Sequence, residues 1–344
     1  KEAYERTNED GSTDMPVVSF DYRFTNLCNF MCRMCGSNLS SSWETEERKY
    51  IKDFETRRPW ASKEVKRATA EFVANLAEPE FEEAIHDKRI REVYWVGGEP
   101  LMYHQHWKFM KMIVDSGQAG NVYARYNTNL SRLVFNKLNL FDDILKHFPN
   151  WQICASIDGT GEVGEYIRTG LKYDTWLANM KYGLQFVKQQ HQRIQLDLTI
   201  TPPGLFDLEN MVHLSNDLNI ELLTKQVFNF SNDNAMAPLF MPYDVMSEII
   251  DDAREKTIKY KNRKLSNFFR QLDEMQNKKE IMNLYMTKKL ISKDRKRAKQ
   301  KLSDWTELEA QTSKRYWRKT KRHWNGGQVY KFKHMPITME PSRS

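Results

Sequence analysis

Three of the four cysteines in the chain fall close together, in Cys28-Asn-Phe-Met-Cys32-Arg-Met-Cys35, a C-x3-C-x2-C spacing. Three thiolates on one short loop suit three corners of a cubane [4Fe–4S] cluster, for which Cys thiolates are the usual ligands. A cubane has four irons, so three ligands leave one iron open to substrate or cofactor, as a catalytic zinc keeps an open position. The remaining cysteine, Cys154, lies mid-strand and far along the chain. Three other readings stand beside the cubane. They are zinc with a distant fourth ligand, a redox thiol pair, and three ordinary buried thiols.

The elements that must position this loop alternate between strand and helix. Apolar, β-branched and aromatic runs predict strands over Val17–Phe24, Arg91–Val96, Asn121–Asn127, Trp151–Ile157, Ile194–Ile200 and Glu221–Phe228. Helical spacing predicts helices over Glu64–Leu76, His106–Val114, Leu133–His147, Tyr173–Gln189 and Leu208–Leu218. Such alternation indicates parallel βα units. Six units in about 210 residues argue for a curved parallel sheet or an open barrel rather than a closed eight-fold one. After Pro242 the pattern turns helical, to about Tyr316.

Parallel βα folds place their ligand at the C-terminal ends of the strands. Here the first strand runs into the cysteines, and the second ends in Gly97-Gly98-Glu99-Pro100. The third ends in Asn127-Thr128-Asn129, and the fourth in Ser156-Ile157-Asp158-Gly159. Turns need Gly or Pro; they do not need a Glu, two Asn, a Ser and an Asp gathered on one rim.

Composition bounds the rest. The 344 residues are 40% hydrophobic and 29% charged, which fits a globular chain with a sizeable core and excludes a disordered or fibrous one. Four cysteines in this length are not a disulfide framework. No run approaches the roughly 20 apolar residues that span a bilayer, and no charged-then-apolar leader opens the chain. A cytoplasmic location without a membrane partner is the expectation. The net charge of +7 is unevenly spread: residues 251–344 hold 26 Lys and Arg against 11 Asp and Glu, whereas residues 1–250 hold 27 against 35. An acidic body followed by a basic region with interleaved Trp305, Tyr316 and Trp317 suits either solvated basic helices or RNA and single-stranded DNA.

Cys28, Cys32 and Cys35 just past a first strand, with Gly97-Gly98-Glu99-Pro100 ending the second, resemble the radical SAM superfamily over about residues 15–230. Ser156-Ile157-Asp158-Gly159 and Glu165-Tyr166-Ile167-Arg168-Thr169-Gly170 resemble its branch with twitch or SPASM extensions. The resemblance implies an α/β fold, a partial (βα)6 radical SAM barrel with a helical basic C-terminal region. It implies a [4Fe–4S] cluster that cleaves S-adenosylmethionine (SAM) reductively to a 5'-deoxyadenosyl radical. Residues 1–14 then form a flexible arm, 15–240 the core barrel, and 241–344 a twitch-like remnant or substrate cover.

Carried over residue by residue, the resemblance makes Cys28, Cys32 and Cys35 the cluster ligands. It sets Gly97, Gly98, Glu99 and Pro100 beside the SAM amine. It puts Met34 on the adenine, Ser156 and Asp158 at the ribose, Asn127 and Asn129 near SAM or substrate, and Arg168 on the SAM carboxylate. A reductant such as flavodoxin or ferredoxin is implied, with a peptide or protein as the favoured substrate. RNA or a nucleotide-linked substrate, and a metal-site nucleic-acid-binding module with no SAM turnover, are the alternatives. Two departures matter. Met34 stands where an aromatic residue is frequent, and no cysteine follows Cys154 to hold an auxiliary cluster.

Weaker candidates remain. His104 and His106 allow a metal pair or an ordinary helix start. Asp197, Thr199, Thr201 and Lys225 form a polar stripe that reads equally as substrate contact or hydrated filler. Trp43, Trp60, Trp107 and Trp176 read as core or interface aromatics.

Overall fold

A computed structural model of the chain describes residues 2–227 and 236–277. Six strands form one sheet in chain order: β1 (Ser19–Tyr22), β2 (Glu92–Trp95), β3 (Tyr123–Thr128), β4 (Trp151–Ser156), β5 (Gln192–Ile200) and β6 (Leu222–Gln226). Each matches a predicted strand. The strands β1 to β4 pair in parallel, and β1 and β6 are the edges among the described residues. The sheet is open, as the repeat count anticipates.

Register separates two faces. One carries the row Phe20, Val93, Ala124, Trp151 and the row Trp95, Tyr126, Ile153, all buried. The helices α1 (Glu78–His86) and α2 (His104–Asp115) contribute to that core. The rings of Phe81 and Phe109 lie 4.5 Å apart and those of Phe20 and Phe81 5.0 Å apart. The other face carries the polar row Asp21, Tyr94, Arg125, Gln152 and the pair Asn127, Cys154. Period-2 alternation therefore builds an apolar core on one side of the sheet and a polar floor on the other.

Contacts divide the described residues into two compact units: residues 2–157 with 168–196, and residues 158–167 with 197–227 and 236–277. The first holds the cysteine loop. The second contains the helices Leu208–Asp217 and Tyr243–Thr257, and a helix over 266–277 that buries Phe268, Leu272 and Met275. Within it Lys225 pairs with both oxygens of Asp197 at 2.8 and 2.6 Å. The Thr201 side chain caps the turn Pro202–Leu205.

Residues 2–14 carry one helical turn, Glu2–Glu5, and a Thr7–Thr13 bridge. The helical reading past residue 277, with most of the basic region, lies outside the described residues. No helix among the described residues is long and apolar enough to cross a membrane.

One predicted helix is replaced. Over Leu133–His147 the chain makes a two-residue hairpin, Val134–Phe135 with Leu138–Asn139, then two irregular helical turns. Asn136 and Lys137 adopt φ of 46° and 71°, the conformation of a tight hairpin turn, which a helix cannot contain. The Asn139 side chain then accepts from the Phe141 and Asp142 amides and restarts the chain as a turn.

Candidate functional site

The cysteine loop wraps the start of a helix that sequence spacing does not reveal, Ser41–Tyr50, capped by the Ser40 hydroxyl. Three consecutive serines fasten the loop to it. Ser40 Oγ donates to the Phe30 carbonyl at 2.5 Å, and Ser42 Oγ donates to the Cys28 carbonyl at 2.8 Å. Ser41 Oγ accepts from the Cys28 amide at 3.1 Å. Indole Nε1 of Trp43 donates to the Cys32 carbonyl at 2.8 Å. The Cys35 amide closes a turn on the Cys32 carbonyl at 2.9 Å, with Met34 half-buried inside it. These bonds satisfy loop carbonyls that burial would otherwise leave costly.

Below the loop, Glu44 is a buried carboxylate held from several sides. Lys66 Nζ lies 2.6 and 2.7 Å from its oxygens, and Arg48 donates twice. Asn26 reaches the same carboxylate at 3.0 Å and the Ser37 carbonyl at 2.8 Å. Burial raises the Glu44 carboxyl, but Lys66, Asn26 and Arg48 together hold it below the usual carboxylate range.

Cys28 and Cys32 are buried, and Cys35 is half-buried. Burial pushes the Cys28 thiol up to about 12, so a positive partner is needed to make it a thiolate. Among the described residues, no three His, Cys, Asp or Glu side chains converge tightly enough for a single metal ion. A cubane takes each thiolate on a different iron, and three sulfurs fixed on one rigid loop fit it in number and type.

The second cluster of expected residues packs against the loop. The Glu99 amide donates to the Leu27 carbonyl at 2.7 Å, one residue before Cys28. A Cβ on Gly98 would lie 2.3 Å from that same carbonyl oxygen. Gly97 has φ of +125°, and a Cβ there would meet the Tyr103 hydroxyl at 2.6 Å. That hydroxyl accepts from the Gly98 amide and donates to the Thr25 carbonyl. Both glycines are thus required by the chain's own packing, a duty the motif alone does not disclose. Pro100 is buried at the start of the turn Pro100–Met102.

Glu99 is 1% exposed. It accepts from the Thr128 hydroxyl at 2.6 Å, the Asn129 amide at 2.7 Å and the Leu101 amide at 3.1 Å. Burial raises its carboxyl, and these donors, Thr128 foremost, oppose the rise. Asn129 also donates to the Asn29 side chain at 3.0 Å, inside the cysteine loop. The ends of β2 and β3 and the cysteine loop therefore form one hydrogen-bonded rim.

Arg168 reaches this rim from later in the chain. Met31–Cys32 pairs antiparallel with Arg168–Thr169, and Arg168 Nη1 lies 3.8 Å from Cys32 Sγ. Asn127 faces away from the rim, onto the polar floor, where its Oδ1 accepts from the Tyr94 hydroxyl at 2.8 Å. Ser156 ends β4, half-buried. Asp158 lies past that strand, in the second unit, and its Oδ1 accepts from the Thr199 amide at 2.9 Å.

Sequence reasoning missed the rest of the polar floor. Arg125 pairs with Glu92 at 2.8 Å and lies over the Tyr94 ring. Gln152 Oε1 accepts from the Tyr123 hydroxyl at 2.8 Å and from Arg193 at 3.1 Å. Strand parity, applied from Asn127 outward, is the signal that finds them. The histidine pair dissolves: His104 is exposed, whereas His106 is buried between Trp95 and Trp107 with Nε2 3.1 Å from the Tyr126 hydroxyl. Burial pushes its imidazole down to about 3.

Residues 22–186, which include the cysteine loop, the rim and Arg168, match the model of the Radical SAM superfamily. This stretch is a radical SAM domain. Membership implies SAM and an iron–sulfur cluster as its cofactors. Solved structures give distant likenesses. TYW1, solved with a lysine–pyruvate adduct bound, is 15% identical over 70% of this chain and 71% of that one, with a TM-score of 0.35. Native anSMEcpe with bound AdoMet is 11% identical over 71% and 61%, with a TM-score of 0.43. SuiB from Streptococcus suis is 11% identical over 72% and 47%, with a TM-score of 0.41. The chain spans less than two thirds of the last two. No curated protein matches the chain.

Proposed function

We propose that the chain is a radical SAM enzyme that holds a [4Fe–4S] cluster on Cys28, Cys32 and Cys35 and abstracts hydrogen from a peptide or protein substrate. The observation that carries this reading is the rim itself. Three thiols sit on a loop whose carbonyls are tied down by Ser40, Ser42 and Trp43, and that loop is bonded to the Gly97–Pro100 turn. The cluster and SAM, when bound, supply an electron and a carbon radical, and the protein supplies orientation and exclusion of water.

The chain's own residues divide the work. The Gly97-Gly98 turn offers its backbone to the methionyl amine of SAM, and Glu99 fixes that turn through Thr128 and Asn129. Met34 lies against adenine. Ser156 reaches the nucleoside, Asn127 faces the substrate from the polar floor, and Asp158 holds the segment beyond β4. A flavodoxin- or ferredoxin-type donor delivers the electron.

The polar floor supports a substrate rich in amides. Its groups are phenols, carboxamides, Asp21 and two guanidiniums, Arg125 held by Glu92 and Arg193 held by Gln152, a mixed set of donors and acceptors that suits peptide groups. No observation on the described residues favours nucleic acid.

The test is anaerobic reconstitution with iron and sulfide, then dithionite and SAM, assayed for 5'-deoxyadenosine. The reading expects product from the native chain and none from Cys32→Ala. A native chain that binds four irons and leaves SAM intact contradicts it.

A further inference from the structure

Arg168 stands directly across from Cys32 in the short antiparallel ladder. Its backbone is held there on both sides. Gly170 has φ of +108°, and a Cβ on it would lie 2.9 Å from the Asn29 carbonyl oxygen and 3.0 Å from Phe30 Cδ1. Only a glycine lets residues 168–170 lie so close to the cysteine loop. The Leu171 amide then donates back to the Arg168 carbonyl at 2.8 Å and closes the turn. From this backbone the guanidinium reaches Cys32, with Nη1 3.8 Å from Sγ, within range of an N–H···S bond.

Burial sharpens the point. Arg168 is 9% exposed and is the only Lys or Arg buried among the described residues. A guanidinium keeps its charge at any working pH, and a buried charge is costly without an opposite one. Among the described residues, the one buried Lys or Arg therefore sits beside the cysteine loop, where a negatively charged cofactor would lie.

We propose that Arg168 is a positioning residue for the cluster, donating from its guanidinium to the Cys32 thiolate and raising the potential at which the cluster accepts its electron. This rests on the reading of the three cysteines as [4Fe–4S] ligands. Cluster potentials are set by net charge, by hydrogen bonds to the sulfurs and by exposure. Reduction adds one electron from the external donor and makes no bond to arginine. A fixed positive charge in a low-dielectric site stabilises the more negative, reduced state more than the oxidised one. A charge-assisted N–H···S bond strengthens in the same direction. The role differs from pairing with the SAM carboxylate, because it acts before SAM is present.

The experiment uses the full chain, reconstituted anaerobically, without SAM. Iron and sulfide are counted first. The reduced EPR signal is then followed against applied potential for the native protein, Arg168→Lys and Arg168→Met. A native chain that fails to assemble four irons overturns the cysteine reading and this proposal with it. With the cluster in place, Arg168→Met is expected to disfavour reduction at least tenfold, which for one electron is a shift of about 59 mV to more negative potential. Arg168→Lys keeps the charge but loses the planar donor, and is expected to shift less in the same direction. Unchanged potentials in both variants, with SAM binding weakened instead, overturn the proposal and assign Arg168 to the SAM carboxylate. Where Arg168→Met fails to hold iron, Arg168→Lys decides: a negative shift at native iron content supports the role, and a native potential contradicts it.

Discussion

The Thr128 hydroxyl donates to Oε1 of Glu99 across 2.6 Å, joining the end of β3 to the turn that follows β2. Because Glu99 is buried and its second oxygen takes the Asn129 amide, the carboxylate is a clasp before it is anything else.

Glu99→Gln tests the clasp. An amide sets an NH2 group against at least one of the existing donors, a buried mismatch costing about 1–3 kcal/mol. Thermal unfolding of the metal-free protein should record that loss. Thr128→Val removes that donor and also the acceptor of the Leu130 amide, so it should lose a similar amount. In the double variant the two losses should not add. Fully additive losses would dissolve the clasp.

Gly98→Ala tests the close approach of the turn to the cysteine loop. Its Cβ would sit 2.3 Å from the Leu27 carbonyl oxygen, so backbone must move. A cost of about 2 kcal/mol or more is expected, with iron content after reconstitution reduced. Gly120→Ala is the control, since nothing lies within 4 Å of its added carbon. If both variants load iron alike, the two glycines of the motif are not there for packing.

The Glu44 carboxylate gives the loop a pH dependence. Its folded value is lowered by Lys66, Asn26 and Arg48. Its contribution is present above the unfolded value, about 4.3, and is lost as pH falls through the lower folded value. Glu44→Gln should cost about 1–2 kcal/mol at neutral pH, a modest figure because Arg48 and Lys66 are partly exposed. The gap between native and variant, measured by denaturant unfolding, should close as the solution is acidified. A gap independent of pH would contradict the ion-pair account.

His106 acts in a different window. Burial holds its imidazole neutral, down to about 3, whereas the unfolded side chain titrates near 6.5. Stability is therefore full above pH 6.5 and falls as pH drops from there toward 3, with a slope of up to about 1.4 kcal/mol per pH unit. His106→Phe should remove that slope. It should leave iron content unchanged, which a metal-ligand role for His106 could not accommodate.

The six strands were legible because each is a short apolar run stopped by Gly, Asn or Asp, and the cysteine loop because thiol spacing is set by chemistry rather than packing. The polar floor was harder. Tyr94, Arg125 and Gln152 are ordinary strand residues until parallel registry sets them side by side. The Ser41–Tyr50 helix was missed because it is poor in apolar residues; Trp43 is its one large buried anchor, and its start is fixed by the Ser40 cap. The segment Leu133–His147 has helical apolar spacing, but left-handed Asn136 and Lys137 overrule it. Gly97 and Gly98 were recognisable as a motif. That they yield to Tyr103 and Leu27 depends on contacts no spacing encodes.

The central claim is that three sulfurs hold the cluster and leave one iron for SAM. Electron–nuclear double resonance on the reduced, reconstituted protein, with SAM labelled by 15N at its amine and 17O at its carboxylate, tests it most directly. The account predicts hyperfine coupling from both labels to the cluster in the native chain, and loss of the cluster signal in Cys32→Ala. A four-iron cluster that shows no coupling to either label would contradict it.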